Sequence, residues 1–311
     1  MANPLKHVYG PVDSGRLGRS LGVDPFFGEK TCNFDCVYCQ LGKAEPHTAG
    51  AGRFANSVDV VEEATAALRR GAADWITISG SGEPTLHPRL GPMITALREE
   101  TGLPIAVVTN GSRLLRRDVR EALSRADAVL PTLAAAEPGT HWLMHRPRGV
   151  GAFRRHVEGL MMFRESYRGM LWLEVMLVKG VNDDDEHLAE LAKLVRLIRP
   201  DEVHLTRPTR PSAELWVEAP KFTTMLRAMK ELDGVVVRTN RPSSAPRAHD
   251  PERALDTIAR AVQRHPIRES EALSWLELAG VDEPSSALER LIGDHRIRRT
   301  AGRAGVFLAP R

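Results

Sequence analysis

The chain has 311 residues, 42% of them apolar and 27% charged, with a net charge of +3. This is the composition of an ordinary soluble protein, long enough for one large domain plus a small one. No apolar run approaches the roughly 18 residues of a membrane span, and the N-terminus lacks a signal peptide's apolar core, so a membrane protein is excluded and a cytoplasmic setting expected. The charge is too mild to demand or exclude nucleic acid. All but seven of the 43 basic residues are Arg, a bias that a GC-rich genome would also produce.

In chain order, Ser20 to Val23 reads as a short strand, and the Gly- and Arg-rich stretch from Ser14 to Arg19 as an anion holder or a surface turn. Residues 31 to 42 then read Thr-Cys-Asn-Phe-Asp-Cys-Val-Tyr-Cys-Gln-Leu-Gly, and Cys32, Cys36 and Cys39 are the chain's only cysteines. Three thiols in a loop of this length can turn toward one iron–sulfur cluster, leaving one iron of a cubane without a protein ligand. Structural zinc would need four ligands in paired spacings, and a disulfide would leave an odd thiol. Residues 47 to 56 read as a flexible loop.

A repeating unit follows. Val58, Val61, Thr65 and Leu68 mark a helix face, and Trp75 to Ser79 is a strand. Leu90, Met93, Ile94 and Leu97 line the next helix, before a strand from Ile105 to Thr109. A polar helix from about Arg113 to Ser124 leads to the strand Ala128 to Pro131. Phe153, Val157, Leu160 and Met161 share a helix face ahead of the apolar strand Leu171 to Val178. Leu188, Leu191, Val195 and Ile198 precede the strand Glu202 to Thr206, and Phe222, Met225 and Met229 precede Val235 to Val237. Strands alternating with helices specify a parallel α/β architecture, either a barrel or partial barrel or an open doubly wound sheet. Residues 241–250 read as a linker. Beyond it, three helical segments and a hairpin from about Ile297 to Leu308 look like a winged helix, with Ser270 as a helix N-cap.

Active groups of such barrels collect where the parallel strands end. Ser79-Gly-Ser-Gly-Glu-Pro84 offers Gly80 and Gly82 for close backbone approach and Glu83 to accept from an ammonium group. Asn110 closes the next strand. Glu174 is a lone carboxylate in an apolar strand, costly unless paired or functional, and is expected to point into the barrel near a bound cofactor or substrate in preference to forming a structural ion pair. Lys179, His204, Arg207 and Arg210 surround the last strand ends and are candidates to clamp an acidic or phosphorylated substrate. His141 and His145 are four apart but lack a companion carboxylate or cysteine, so core or surface roles are expected.

The Cys-x3-Cys-x2-Cys spacing, with Tyr38 just before the last cysteine, resembles the signature of the radical S-adenosylmethionine (SAM) superfamily. Tyr9 to Gly42, Ser79 to Pro88, Thr109 to Leu115, Leu171 to Asp183 and Arg207 to Pro211 look like a subgroup related to wyosine tRNA-base synthases. The resemblance implies a partial (β/α)6 TIM-like barrel over residues 1–240 and an enzyme using a [4Fe-4S] cluster and SAM; the cysteine count limits it to one Cys-ligated cluster, and the helix and hairpin pattern gives the small winged-helix-like domain over 251–311. It implies Cys32, Cys36 and Cys39 as cluster ligands, and Tyr38, Gly80, Gly82, Glu83, Asn110 and Glu174 around SAM. A reductant such as flavodoxin or ferredoxin is the implied partner. The subgroup's Ser-Leu-Asp-Ala at the fourth strand is here Thr132-Leu-Ala-Ala135, so the substrate is not inherited with the label. Arg296, Arg298, Arg299 and Arg303 on the expected wing make RNA a candidate partner, against a packing module. The contrasting reading is a cluster-bearing, redox-responsive nucleic-acid regulator without turnover.

Overall fold

The computed structural model describes residues 7–27, 30–43, 54–147, 151–237, 251–264, 266–294, 297–302 and 305–310. The expected linker at 241–250, most of the expected loop at 47–56, and Arg296 and Arg303 lie outside the described residues.

An antiparallel hairpin, β1 (Val8–Ser14) and β2 (Gly18–Val23), opens the chain. Six parallel strands follow: β3 (Trp75–Ile78), β4 (Ile105–Thr109), β5 (Ala128–Pro131), β6 (Met170–Met176), β7 (Glu202–Thr206) and β8 (Val235–Val236). They lie side by side in chain order, β1 to β8, each parallel to the one before from β3 onward. A doubly wound sheet would reverse direction at a switch point. This order never reverses, so right-handed crossovers put the helices on one face and the sheet curls into a half-barrel.

The helices between strands are α1 (Ser57–Leu68), α2 (Leu90–Thr101), α3 (Arg117–Leu123), α4 (Pro138–His145), α5 (Ala152–Ser166), α6 (Asp185–Ile198) and α7 (Phe222–Glu231). Their starts follow local chemistry. The Asn56 side chain accepts from the Val58 N–H, and Asp184 from the His187 N–H, satisfying helix N–H groups that have no intrahelical partner. The outward residues of the strands, among them Ile76, Ile78, Val107, Val129, Leu173 and Leu205, pack against Met93, Leu97, Leu160, Phe163 and Leu191 of the helices.

Period-two alternation sends the other residues inward. Near the strands' N-terminal ends, Leu17 of the hairpin turn meets Ala106, Ala128, Leu130 and Trp172, with Trp75 against them. Trp75 and Trp172 lie 6.1 Å apart between ring centroids. Arg16, in the same turn, pairs with Glu174. The hairpin is the floor of the half-barrel, and the stretch from Ser14 to Arg19 is a structural turn whose Arg16 reaches an internal carboxylate.

The C-terminal region carries α8 (Pro251–Arg264), β9 (Ile267–Arg268), α9 (Glu269–Leu278), α10 (Pro284–Asp294), β10 (Ile297–Gly302) and β11 (Gly305–Pro310). β11 lies between β10 and β9 in an antiparallel sheet. Ile258, Val262, Leu276, Leu291 and Leu308 form a core separate from that of the half-barrel. α9 begins one residue before Ser270, with Arg268 as N-cap.

Candidate active site

The parallel strands' C-terminal ends form the mouth of the half-barrel. The cysteine loop follows β2 and is tied to the next strand end by backbone: Thr31 N–H donates to Ser81 O at 2.8 Å, and Glu83 N–H to Thr31 O at 2.9 Å. A Cβ at Gly82 would lie 1.8 Å from the Thr31 carbonyl oxygen, so only glycine lets these two chains meet. Gly80 has φ +142°, and a Cβ there would strike Asp24, 2.4 Å from its carboxyl carbon. Both glycines are therefore required by the approach of the cysteine loop itself.

Glu83 is buried, and its carboxylate gathers the strand ends. Oε1 accepts from Thr85 N (3.0 Å), Thr85 Oγ1 (2.7 Å) and Thr109 Oγ1 (2.5 Å), while Oε2 accepts from Asn110 N (2.6 Å). Asn110 in turn donates from Nδ2 to Asn33 Oδ1 at 3.0 Å and faces Cys32 Sγ at 3.8 Å, while its Oδ1 accepts from Ser112 N. Asn33 Nδ2 donates to Ser112 Oγ at 2.7 Å. Sequence reasoning named Glu83 and Asn110 but missed Asn33, Ser112 and Asp24. Asp24 accepts Ser81 Oγ on both carboxylate oxygens, at 3.0 and 2.9 Å. Its signal was available as an acidic residue, followed by proline, directly after a strand.

The other side of the loop rests on the last turn of α4. Asp35 N–H donates to His145 O at 3.0 Å and Val37 N–H to Met144 O at 2.9 Å, bracketing Cys36. Arg146, next in sequence, reaches Asp35 at 3.5 Å and Glu214 at 2.6 Å. His145 Nδ1 is 3.4 Å from Cys36 Sγ and 3.2 Å from the Tyr38 hydroxyl. Tyr38 thus faces Cys36 and His145 while packing beside Ala134, Met144 and Val178. His141, His145 and His156 are all buried around Phe34, so of the core or surface roles expected for the first two the core one holds, while Cys36 is a companion cysteine that His145 was expected to lack. Burial pushes the His156 imidazole down to about 3 and that of His141 to about 4, and holds His145 well below its usual range.

Deeper in the lumen, Glu174 is ion-paired with Arg16, the structural pairing that the sequence ranks second to a role beside SAM or substrate; it is register partner to His204. His204 is buried against Trp172 and bonded through Nε2 to Glu202 at 2.8 Å. Its Nδ1 is buried without a hydrogen-bond partner. The four candidate clamp residues do not come together. Lys179 is an exposed rim residue paired with Glu218 at 2.8 Å, Arg207 is half-buried just past β7, and Arg210 reaches Gln40 of the cysteine loop at 3.1 Å.

The donor set suits an iron–sulfur cluster. Burial, together with the Glu83 charge, pushes the Cys32 thiol up to about 12, and burial plus the other two cysteines pushes Cys36 well up. The three cysteines sit half-buried on one loop, and their thiolates need a cation that Lys30, already 3.9 Å from Asp35, supplies only in part. Bound iron meets that need with sulfur-only ligation. Among the described residues, no three His, Cys, Asp or Glu side chains gather as for a single metal ion.

Comparison with known proteins agrees with this geometry. Residues 30–192 match the family described as Radical SAM superfamily. A UPF0026 protein of Synechocystis is 38% identical over 204 residues, 66% of this chain and 76% of that one. The GTPase Obg of Brachyspira hyodysenteriae is 38% identical over 226 residues, 72% of this chain but 33% of that protein, so the chain spans a third of its length. The structure of TYW1 with a lysine-pyruvate adduct bound shares the fold, with a TM-score of 0.54 at 16% identity over 70% of this chain and 74% of that one. The chain therefore belongs to the radical SAM superfamily, enzymes that use a [4Fe-4S] cluster and S-adenosylmethionine.

Proposed function

We propose that Cys32, Cys36 and Cys39 hold a single [4Fe-4S] cluster and that SAM lies between it and the ends of β3 and β4. The observation that carries this reading is that the loop bearing all the chain's cysteines meets, through Cys32, the amide and carboxylate at the ends of β3 and β4. With no further cysteine, a second Cys-ligated cluster has no ligands. The cluster, when bound and reduced by an external donor such as flavodoxin or ferredoxin, supplies the electron that cleaves SAM and yields a 5′-deoxyadenosyl radical.

The protein's part is positioning. Glu83 Oε2 takes one internal donor where Oε1 takes three, so it is the oxygen with capacity for the methionyl ammonium of SAM. Gly80 and Gly82 act through the loop, letting Asp24 and Thr31 pack directly on the end of β3 and so setting the cysteines beside it. Asn110 offers polar contacts at the next strand end. Tyr38 orders the loop beside Cys36. Glu174 and His204 line the lumen where a substrate would lie, above a floor that packing keeps dry. Substrate hydrogen is abstracted there; its chemical class is open to a nucleic-acid base or a small metabolite.

Residues 1–240 form the catalytic half-barrel and 251–311 a winged-helix-like module, on this reading, joined by the linker at 241–250. The module serves packing in preference to RNA binding. Arg299 is held by Glu269 and Glu289, and Arg298 by the Pro310 carbonyl, so two of the expected wing arginines are engaged internally. Buried thiols that must stay reduced favour a cytoplasmic, low-oxygen setting.

Anaerobic reconstitution, iron and sulfide analysis, and reduction with dithionite in the presence of SAM test the reading. Four irons per chain with formation of 5′-deoxyadenosine and methionine are expected. A loaded protein that forms neither overturns it, and with it returns the regulator without turnover.

A further inference from the structure

Within the loop, Cys36 is set apart from the other two cysteines. The backbone N–H groups on both sides of it are anchored to the carbonyls of Met144 and His145, and Arg146 pins the preceding Asp35. Three consecutive residues at the end of α4 therefore hold one cysteine. The His145 ring is fixed by stacking on Phe34, with centroids 5.4 Å apart, and sits edge-on to Tyr38 at 5.8 Å. Its Nδ1 faces Cys36 Sγ at 3.4 Å, within range for a hydrogen bond to sulfur.

The ring's tautomer follows from its surroundings. Among the described residues the buried Nε2 has no hydrogen-bond partner, whereas Nδ1 has both the sulfur and the Tyr38 oxygen in reach. A neutral imidazole has one N–H, and a buried N–H without an acceptor is the costlier orphan. The proton therefore belongs on Nδ1, directed at the cysteine. Hydrogen bonds to ligand sulfurs withdraw charge from them and stabilise the more negative, reduced state of an iron–sulfur cluster.

We propose that His145 is a positioning residue that donates an Nδ1–H hydrogen bond to the Cys36 thiolate and so raises the reduction potential of the cluster. The role rests on the cluster assignment above. It gives α4 a purpose beyond packing, because any movement of its last turn changes the environment of one particular ligand.

Two substitutions separate the hydrogen bond from ring bulk. His145→Phe keeps a flat ring beside Phe34 but removes the donor. His145→Asn loses the ring but can present an N–H from the atom bonded to Cγ, where Nδ1 stood. In EPR-monitored redox titrations of anaerobically reconstituted protein, matched for iron and sulfide, His145→Phe is expected to lower the equilibrium constant for reduction about tenfold, or about 59 mV for a one-electron couple. His145→Asn is expected to recover most of that loss. Equal potentials for wild type and His145→Phe overturn the proposal, as does a His145→Asn potential as low as that of His145→Phe. Should His145→Phe fail to fold or load, wild-type protein labelled with 15N-histidine decides. The reduced cluster should show hyperfine coupling to an imidazole nitrogen that His145→Asn lacks, and absence of that coupling overturns the proposal. Failure of wild-type protein to bind iron would instead refute the cluster reading itself.

Discussion

The floor and the mouth of the half-barrel are built from the same strands, yet they solve opposite problems. At the floor, small residues on β4 and β5 leave room for Trp75, Trp172 and Leu17, and Arg16 of the same turn reaches the lumen carboxylate Glu174. Apolar groups are matched by apolar groups, and the ionic pair is internal. At the mouth, half-buried cysteines and asparagines lie beside a buried glutamate and buried histidines. Their hydrogen bonds run between loops, and several nitrogens, including both of His141, are buried without partners. An unpaired buried polar group is destabilising, so the mouth gives up folding free energy that the floor retains. A site that must accept a charged cofactor cannot have satisfied itself beforehand.

The contrast is broken most severely at Cys39. Cys39→Ala should abolish iron binding and SAM cleavage while leaving the melting temperature of the iron-free protein within about 2 °C of wild type, because a half-buried thiol with no folding role is lost. Parallel iron assays and thermal melts check this. Glu83→Ala should affect both properties. It strips the acceptor from four internal donors and is expected to destabilise the iron-free protein by about 3 kcal/mol or more in urea titrations. Arg16→Met should do the reverse of Cys39→Ala, costing about 2 kcal/mol by leaving Glu174 unpaired, with normal iron loading. The double variant Arg16→Met, Glu174→Leu should regain most of that stability.

The last and most graded test is pH. In the folded protein His141 and His156 protonate near 4 and 3, against 6.5 for an unperturbed histidine. Below pH 6.5 the unfolded chain binds protons that the folded chain refuses. Their contribution is therefore fully present above pH 6.5 and lost as pH falls toward 4 and then 3, at up to about 1.4 kcal/mol per pH unit for each histidine. Urea titrations of the iron-free protein between pH 7 and 5 should show this slope, and His156→Phe should flatten it.

Some features are legible along the chain because their physics is local. The cysteine spacing is one, since ligands of one cluster on a single loop need no distant partner. The alternation of strands and helices is another, carried by the near-continuous apolar run of β6 and the 3.6-residue period of α6, which appear without tertiary help. α4 was not legible as a helix, and its burial explains why. His141 and His145 face the core while Trp142 is 64% exposed and Leu143 lies outward, so the hydrophobic stripe is inverted. β1 was hidden for a related reason: only its first residue is fully buried, so no alternation marks it.

Sequence alone determined the cysteine spacing that marks the superfamily, the parallel α/β architecture and the lone carboxylate of β6, because each rests on spacing or on the cost of burying charge. Only the tertiary structure decided who meets whom. Arg16 and Glu174 are 158 positions apart, and His145 and Cys36 are 109 apart. No local pattern encodes such pairings. They exist because a curled sheet brings its hairpin floor under β6 and the end of α4 against the loop that follows β2.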